Sequence, residues 1–277
     1  MQIAHPCLPL LAALGASSLR AQAPLTVGAT AGAVKLTDQR SEQALTGVLQ
    51  LEAGSWLSLS AVPSVVRVSD LVSGRSVSSN GPGDLPVAAA ASHAFPTPGA
   101  PVVGAVLTVV LPTGNAACGL GSGETSFGLD VGAGASPHPQ LHLSADASHS
   151  LGGLSAQSSL SAPHATSLRA EAGYDVSPRW RTGVSLGVDV GQADSTQPLS
   201  RVLGAGATRR LAGALALTLD GSVGLTSASP KWGVSLGLGT AFAGTSPVGL
   251  TSPLRRLKTT FGGGVSRGSG SGKIGCR

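Results

Sequence analysis

An alternation of apolar and polar positions runs from Ser229 to Phe242. In a β-strand, successive side chains point to opposite faces, so residues two apart share a face. One face of this stretch is therefore apolar and the other is small or polar, which is typical of a strand that crosses a membrane between lipid and an aqueous lumen. The apolar positions are Trp232, Val234, Leu236, Leu238 and Phe242, and the small or polar positions are Lys231, Gly233, Ser235, Gly237 and Gly239.

The same alternation recurs in twelve segments of roughly ten residues each, separated by turn-forming residues. Long connections such as 70–83 and 150–164 follow odd segments, whereas short ones such as 53–54 and 177–178 follow even segments. Outer-membrane barrels have short periplasmic turns and longer outer loops. We therefore predict an all-β fold, a transmembrane antiparallel up-and-down β-barrel of twelve strands with both ends in the periplasm. The predicted strands are 25–36, 44–53, 55–68, 84–95, 101–112, 125–135, 140–149, 165–176, 179–190, 199–210, 213–225 and 230–242.

Charged and polar side chains fall on the inward faces of the predicted strands. In a narrow lumen, such residues either pair with one another and plug the pore, or remain available and set its selectivity. The sequence leaves both roles open. The predicted lumen-lining residues are Asp130, His142, Asp146, Arg169, Glu171, Arg181, Asp189 and Asp220.

Most aromatic residues fall at the ends of the predicted strands. Amphipathic aromatic rings gather at the two membrane interfaces of a barrel, where they form girdles. Phe242, at the end of the last strand, also resembles the C-terminal aromatic signal that barrels present to the barrel-assembly machinery. The predicted interface aromatics are Trp56, Phe95, Phe127, Tyr174, Trp180, Trp232 and Phe242.

Composition supports a membrane barrel over a soluble domain. The chain has 40 glycines among its 277 residues, 11% charged and 3% aromatic residues, and yet 42% hydrophobic residues. A soluble core is hard to build from this mixture, whereas a barrel turns its apolar side chains to lipid and keeps small residues inside. Pro63 is expected to mark a bulge in the third strand.

The two ends of the chain differ from the barrel. Residues 1–23 resemble a secretory signal peptide, with an apolar stretch followed by the cleavage motif Ala21-Gln22-Ala23. The barrel domain is then 24–243, and 244–277 is expected to be a flexible, basic, Gly/Ser-rich periplasmic tail. Because the basic excess lies in this tail, the net charge of +5 does not indicate nucleic-acid binding.

Two cysteines remain after the predicted cleavage. Cys118 lies in a predicted outer loop and Cys276 in the predicted periplasmic tail. On this topology we expect that the two cannot pair.

The catalytic motifs of the sequence lack the context that they need. Gly183 to Gly187 and Gly233 to Gly237 both read Gly-Val-Ser-Leu-Gly, the pattern of a nucleophile elbow. An elbow requires a sharp strand-to-helix turn, whereas both copies lie within predicted strands. We expect no enzyme activity, no metal and no cofactor, and an outer-membrane phospholipase that uses His142 stays a minor alternative.

Two loop motifs indicate a family. Val109-Val-Leu-Pro-Thr-Gly114, with Gly121 to Asp130 after it, and Gly224-Leu-Thr-Ser-Ala-Ser-Pro-Lys-Trp-Gly233 resemble the outer-membrane transporter barrels of the meta-pathway phenol-degradation family. The resemblance implies transport of small hydrophobic or aromatic molecules across the cell outer membrane. The expected function is a passive channel, and a structural or adhesive surface barrel with a closed lumen is the alternative. The expected partners are outer-membrane lipid, the barrel-assembly machinery and an unknown small-molecule substrate, without nucleic acid.

Overall fold

A computed structural model of the chain describes residues 25–153, 166–190, 199–244 and 252–261. Most of these residues lie in β-strands, and one short α-helix, α1 (Pro253–Thr260), follows the last strand. The strands are β1 (Leu25–Lys35), β2 (Arg40–Glu52), β3 (Leu57–Ala61), β4 (Ser64–Val72), β5 (Arg75–Pro82), β6 (Leu85–Ala94), β7 (Val102–Leu111), β8 (Ser126–His138), β9 (Leu141–Gly153), β10 (Thr166–Ser177), β11 (Trp180–Val190), β12 (Arg201–Arg210), β13 (Ala216–Gly224) and β14 (Trp232–Gly239).

The strands close into one antiparallel barrel. From β6 to β14 each strand pairs with the next, and β1 pairs both with β2 and with β14. β3 and β4 both pair with β2, so these two strands together occupy one position in the barrel wall. β6 pairs with β3 and β5 pairs with β4, so β5 and β6 together occupy the next position. The wall therefore has twelve positions, and the predicted twelve-stranded barrel is confirmed. Because the barrel is closed, no strand edge leaves its backbone N–H and C=O groups without hydrogen-bond partners in the membrane.

The connections at the two ends of the barrel differ in length. β2–β3, β8–β9 and β10–β11 are joined by short connections at one end, called here the turn end; the opposite end is called the loop end. The predicted long loop at 70–83 is wrong, because β4 and β5 form a hairpin that turns at Ser73 and Gly74. Both residues have positive φ, 51° and 78°, as a tight hairpin turn requires. Pro63, predicted to mark a bulge in the third strand, lies in the interruption between β3 and β4.

The loop end of the β1–β14 seam is held by one residue. Lys231 donates its backbone N–H to the carbonyl of Lys35 at 2.7 Å and its ammonium to Asp38. This hydrogen bond and the charge of Lys231 lower the pKa of the exposed Asp38 carboxyl. The first and last strands are therefore tied together beyond their own ladder.

The outer and inner surfaces of the wall have opposite character. Large apolar side chains such as Leu25, Leu45 and Leu219 are exposed on the outside, while Thr46, Thr218 and other small polar residues are buried inside. This is the reverse of a soluble protein and matches a wall between lipid and a polar interior. Among the described residues, no helix has the length and apolar character of a membrane span.

The short helix α1 lies inside the barrel. Its Arg256, Leu257 and Thr260 are buried, and they contact the inner faces of strands on opposite sides of the β1–β14 seam. The prediction of a flexible periplasmic tail is therefore wrong for 252–261. Residues 245–251 and 262–277 of the predicted tail lie outside the described residues.

Candidate functional site in the barrel lumen

Local sequence explains why α1 begins where it does. Ser252 has extended backbone geometry and its hydroxyl accepts a hydrogen bond from the N–H of Arg255, while Pro253 occupies the first turn. A serine cap followed by proline is a favoured helix start, since proline lacks an N–H that would otherwise be unpaired there. Pro253 lies near Gly183, towards the turn end, and Phe261 lies beside Val66 and Val68, towards the loop end. The helix thus runs through the lumen from the turn end towards the loop end.

Glycines on the inner wall make room for the helix. A methyl group at Gly204 would come within 2.8 Å of the Leu254 side chain, and one at Gly32 within 2.9 Å of Thr260. A methyl group at Gly206 would lie 2.1 Å from the Asp220 carboxylate. Distances under 3 Å are forbidden to carbon contacts, so the helix and its ion pairs can occupy the lumen only because these positions lack a side chain.

Two arginines bind α1 to the wall. Arg256 donates to both carboxylate oxygens of Asp220, at 2.8 and 2.6 Å, and the two side chains are 4% and 1% exposed. Arg255 reaches Asp146 at 2.9 Å. A fork-to-fork arginine–carboxylate pair fixes geometry as well as charge, so these contacts set the position of the helix in the lumen.

The remaining central charges surround these pairs. Arg169 is 3.9 Å from Asp146, and Lys258 on α1 lies within electrostatic range of Asp130 and Asp146. One carboxylate oxygen of Asp146 has no hydrogen-bond partner among the described residues. The wall carboxylates that face the helix are Asp130, Asp146, Glu171, Asp189 and Asp220.

A second polar cluster lies nearer the turn end. His142 contacts Ser136 at 2.7 Å through Nδ1 and Asp175 at 3.0 Å through Nε2, and Arg181 binds both oxygens of Asp175 at 2.6 and 2.8 Å. Arg181 Nη2 also lies 3.0 Å from Nε2 of His142. A carboxylate only accepts and a guanidinium only donates, so Nε2 donates to Asp175 when it carries a proton and accepts from Arg181 when it does not.

The carboxylates near His142 are paired with arginines. In a serine hydrolase the histidine accepts the serine proton and a carboxylate orients the histidine. Asp175, which contacts His142, is ion-paired with Arg181. Asp146, on the same inward face of β9 as His142, pairs with Arg169 and Arg255.

An inward-folded loop covers the loop end of α1. In this 112–125 connection, Cys118 and Leu120 pack against Phe261 in one buried cluster with wall residues. Asp84 holds the loop by accepting hydrogen bonds from Gly114 N at 3.0 Å, Ser122 N at 2.6 Å and Ser122 Oγ at 2.9 Å. The helix and this loop together fill the lumen at the loop end.

Cys118 is disulfide-bonded. The other cysteines of the chain are Cys7 and Cys276, and both lie outside the described residues. The expectation that Cys118 and Cys276 cannot pair assumed that the tail stays in the periplasm. Because the chain passes through the lumen and Phe261 reaches the cluster of Cys118, that ground is wrong, while the strand topology stands.

The aromatic residues divide into two groups. Trp56, Phe95, Tyr174, Trp180 and Trp232 are exposed near the strand ends, and Phe127 is half-buried. Phe242 is the exception to the predicted girdle. It is 3% exposed and packs inside the barrel with Val48 and Ala216, because the chain turns inward after β14 at Gly239.

The predicted lumen residues occupy inward positions on β8 to β13. The structure brings Asp146 and Arg169 together, and separately His142 and Arg181. Sequence reasoning missed α1, although Ser252-Pro253 is a helix-start signal and Leu254, Leu257 and Phe261 follow at spacings that place them along one side of a helix. Among the described residues, no cluster of histidine, cysteine or carboxylate side chains suits a metal ion.

Sequence comparison identifies the family. A family profile described as the putative MetA-pathway of phenol degradation matches residues 17–242. The chain belongs to this family. The resemblance carried by the loop motifs is thereby confirmed. The search of curated proteins gives no significant match.

Solved barrels show the same fold. The COG4313 outer membrane channel from Pseudomonas putida F1 is similar to this MetA-pathway family member at a TM-score of 0.58 and 17% identity, over 80% of this chain and 98% of that one. The KdgM porin matches at a TM-score of 0.49 and 9% identity, over 78% of this chain and 99% of the porin. At such identities the likeness to the COG4313 channel establishes the fold alone. The TM-score of the KdgM porin is too low to support a further argument.

Proposed function

We propose that this protein is a passive outer-membrane channel for small molecules and that its C-terminal helix occupies the pore. The observation that carries the proposal is a closed barrel with an apolar outside and a charged inside, since a polar lumen inside a lipid-facing wall is the arrangement of a pore. Membership in a family described by phenol degradation, and the channel named among similar structures, support a small solute of hydrophobic or aromatic character.

The route to the membrane is part of the proposal. Residues 1–23 would direct export through the inner membrane, and the barrel-assembly machinery would insert the strands into outer-membrane lipid. The exposed aromatic residues near the strand ends would then lie at the two lipid interfaces. The turn end would face the periplasm, because short connections lie on that side of outer-membrane barrels.

The lumen contents define how the channel would work. α1 spans the lumen and is held by ion pairs at Asp146 and Asp220. A solute can pass only if the helix moves aside or if the solute fits between the helix and the wall. We therefore expect the native chain to have a low conductance and to admit only small solutes.

Reconstitution tests the proposal. The purified full-length chain should give discrete conductance steps in planar bilayers, and vesicles that contain it should take up phenol faster than protein-free vesicles. Heat-modifiable migration on a gel must first show that the barrel is folded. A folded barrel that neither conducts nor admits any small solute would contradict the channel function.

A closed structural or adhesive barrel is the second candidate. The observation that favours it is the filled lumen, in which helix, loop 112–125 and wall share one buried cluster. An adhesive surface would lie on the long loops at the loop end; of the two predicted ones, 70–83 forms a hairpin, and 150–164 lies largely outside the described residues. Attachment to cells or surfaces by a barrel that does not conduct would favour this candidate.

A further inference from the structure

The best-formed ionic contact in the lumen joins the wall to the protein's own tail. We propose that Asp220 and Asp146 form a cation-binding site of the pore, which α1 occupies with its arginines and which small organic guanidinium or ammonium ions fill when the helix withdraws. This inference rests on the proposed channel function and adds a class of solute to it.

The geometry at Asp220 is that of a guanidinium site. Both of its oxygens accept from Arg256, at 2.8 and 2.6 Å, in a contact that excludes solvent. Gly206 leaves the space in which the carboxylate lies, since a methyl group there would be 2.1 Å from Asp220 and 3.1 Å from Arg256. The wall is thus shaped around this carboxylate and its cationic occupant.

Asp146 supplies a second carboxylate contact. Its Oδ1 binds Arg255 at 2.9 Å, while Oδ2, in a side chain only 7% exposed, lies 3.9 Å from Arg169 and has no hydrogen-bond partner among the described residues. A buried carboxylate oxygen without a hydrogen-bond donor is costly, so a cation that reaches it is stabilised. When α1 withdraws, Asp146 loses Arg255 and keeps only the longer contact to Arg169.

The charge of the wall determines what would replace the helix. Around α1 the wall offers Asp130, Asp146, Glu171, Asp189 and Asp220 together with one arginine, Arg169, whereas the helix contributes Arg255, Arg256 and Lys258. Without the helix, the lumen at this level is lined mainly by carboxylates. Rings of carboxylates attract cations and repel anions in channels.

Arg256 also borders a small cavity at the turn end. The cavity has a volume of about 10 Å³, room for about one water molecule, and its other charged lining residues are Asp175, Arg179, Arg181 and Arg210. Such a cavity does not admit an organic cation while α1 is in place. Access to Asp220 therefore requires the helix to withdraw.

Chemical rescue of a full-length variant tests the binding site directly. Arg256→Ala removes the guanidinium and leaves the carboxylate, so the unfolding temperature of the detergent-solubilised barrel should fall. Low-millimolar guanidinium chloride should restore much of that loss, and urea, a neutral molecule of the same shape, should not. In the double variant Arg256→Ala/Asp220→Asn, the apparent affinity for guanidinium should be lower than in Arg256→Ala by roughly tenfold or more, because the carboxylate that binds the cation is lost.

Two controls make the result decisive. Arg209→Ala removes an arginine that lies 5.3 Å over the ring of Trp180 on the outside of the barrel, where guanidinium should give no rescue. If Arg256→Ala does not yield a folded barrel, Arg256→Gln is used for the same titration. Equal effects of guanidinium and urea, or rescue that persists without Asp220, would overturn the cation site.

Bilayer recordings test the consequence for the pore. Arg255→Gln/Arg256→Gln should raise conductance and shift the reversal potential in a potassium chloride gradient towards potassium. Adding Asp146→Asn and Asp220→Asn should move it back towards zero selectivity. A conducting variant without cation preference contradicts this inference alone, whereas folded variants that never conduct contradict the proposed channel function.

Discussion

The glycines of the inner wall have a specific use at the level of single residues. Gly32, Gly204 and Gly206 stand where α1 or its ion pairs come closer to the backbone than a methyl group would allow. The sequence shows their abundance, but it places them in predicted strands that are rich in alanine and glycine on both faces. It could not show their purpose, because the group they make room for lies far along the chain.

Gly206→Ala should destabilise the protein more than a matched substitution nearby. The added methyl would meet the Asp220 carboxylate at 2.1 Å and displace its pair with Arg256, and overpacking of this kind costs about 1–3 kcal/mol. The unfolding temperature, read from heat-modifiable gel migration, measures the effect. Gly183→Ala is the control, since its nearest neighbour would be 3.5 Å away; equal losses in the two variants would contradict the explanation.

The strands could be predicted from sequence because their pattern is local, whereas α1 could not be recognised in the same way. Leu168, Ala170 and Tyr174 repeat every second residue, and this period fixes both the strand and its outward face. α1 is only eight residues long, and it precedes a segment rich in glycine and serine. A helix so short is stable only through tertiary contacts, so its position depended on a lumen that the sequence does not display.

Loop 112–125 should loosen when its anchor is removed. Asp84→Ala would remove the acceptor of the N–H groups of Gly114 and Ser122, and a hydrogen bond to a charged group contributes about 1.5–3 kcal/mol. We expect faster amide hydrogen exchange and protease cleavage confined to this loop, with the barrel still heat-modifiable. Asp38→Ala, at an exposed loop residue, should leave the exchange of loop 112–125 unchanged.

Phe261 should determine how firmly the helix is held. Its side chain is almost fully buried against Val66, Val68 and Leu120, and removal of such a side chain costs about 3–5 kcal/mol in a core that cannot collapse. Phe261→Ala should therefore raise hydrogen exchange in 252–261 and increase bilayer conductance. Phe95→Ala, at a side chain 40% exposed, is the matched control, and no difference between the two variants would contradict a holding role for Phe261.

The whole molecule determines the disulfide that Cys118 makes. Cys7 precedes the predicted cleavage site, while Cys276 follows Phe261 by a stretch that can extend about 50 Å at 3.3–3.6 Å per residue. We therefore expect a Cys118–Cys276 linkage in the mature protein, found by mass spectrometry of a non-reduced digest. A Cys7–Cys118 peptide would mean that the N-terminal segment is retained.

The path of α1 also bears on the order in which the barrel assembles. The helix contacts β11, β12, β13 and β14 on one side of the seam, and β1 and β2 on the other. It can therefore act as an internal template that draws the first and last strands together, so that closure is nucleated by a local docking event and the long-range search is shortened. A chain whose helix docks poorly, such as Leu257→Asp, should reach the heat-modifiable form more slowly during refolding in detergent, even where the finished wall is the same.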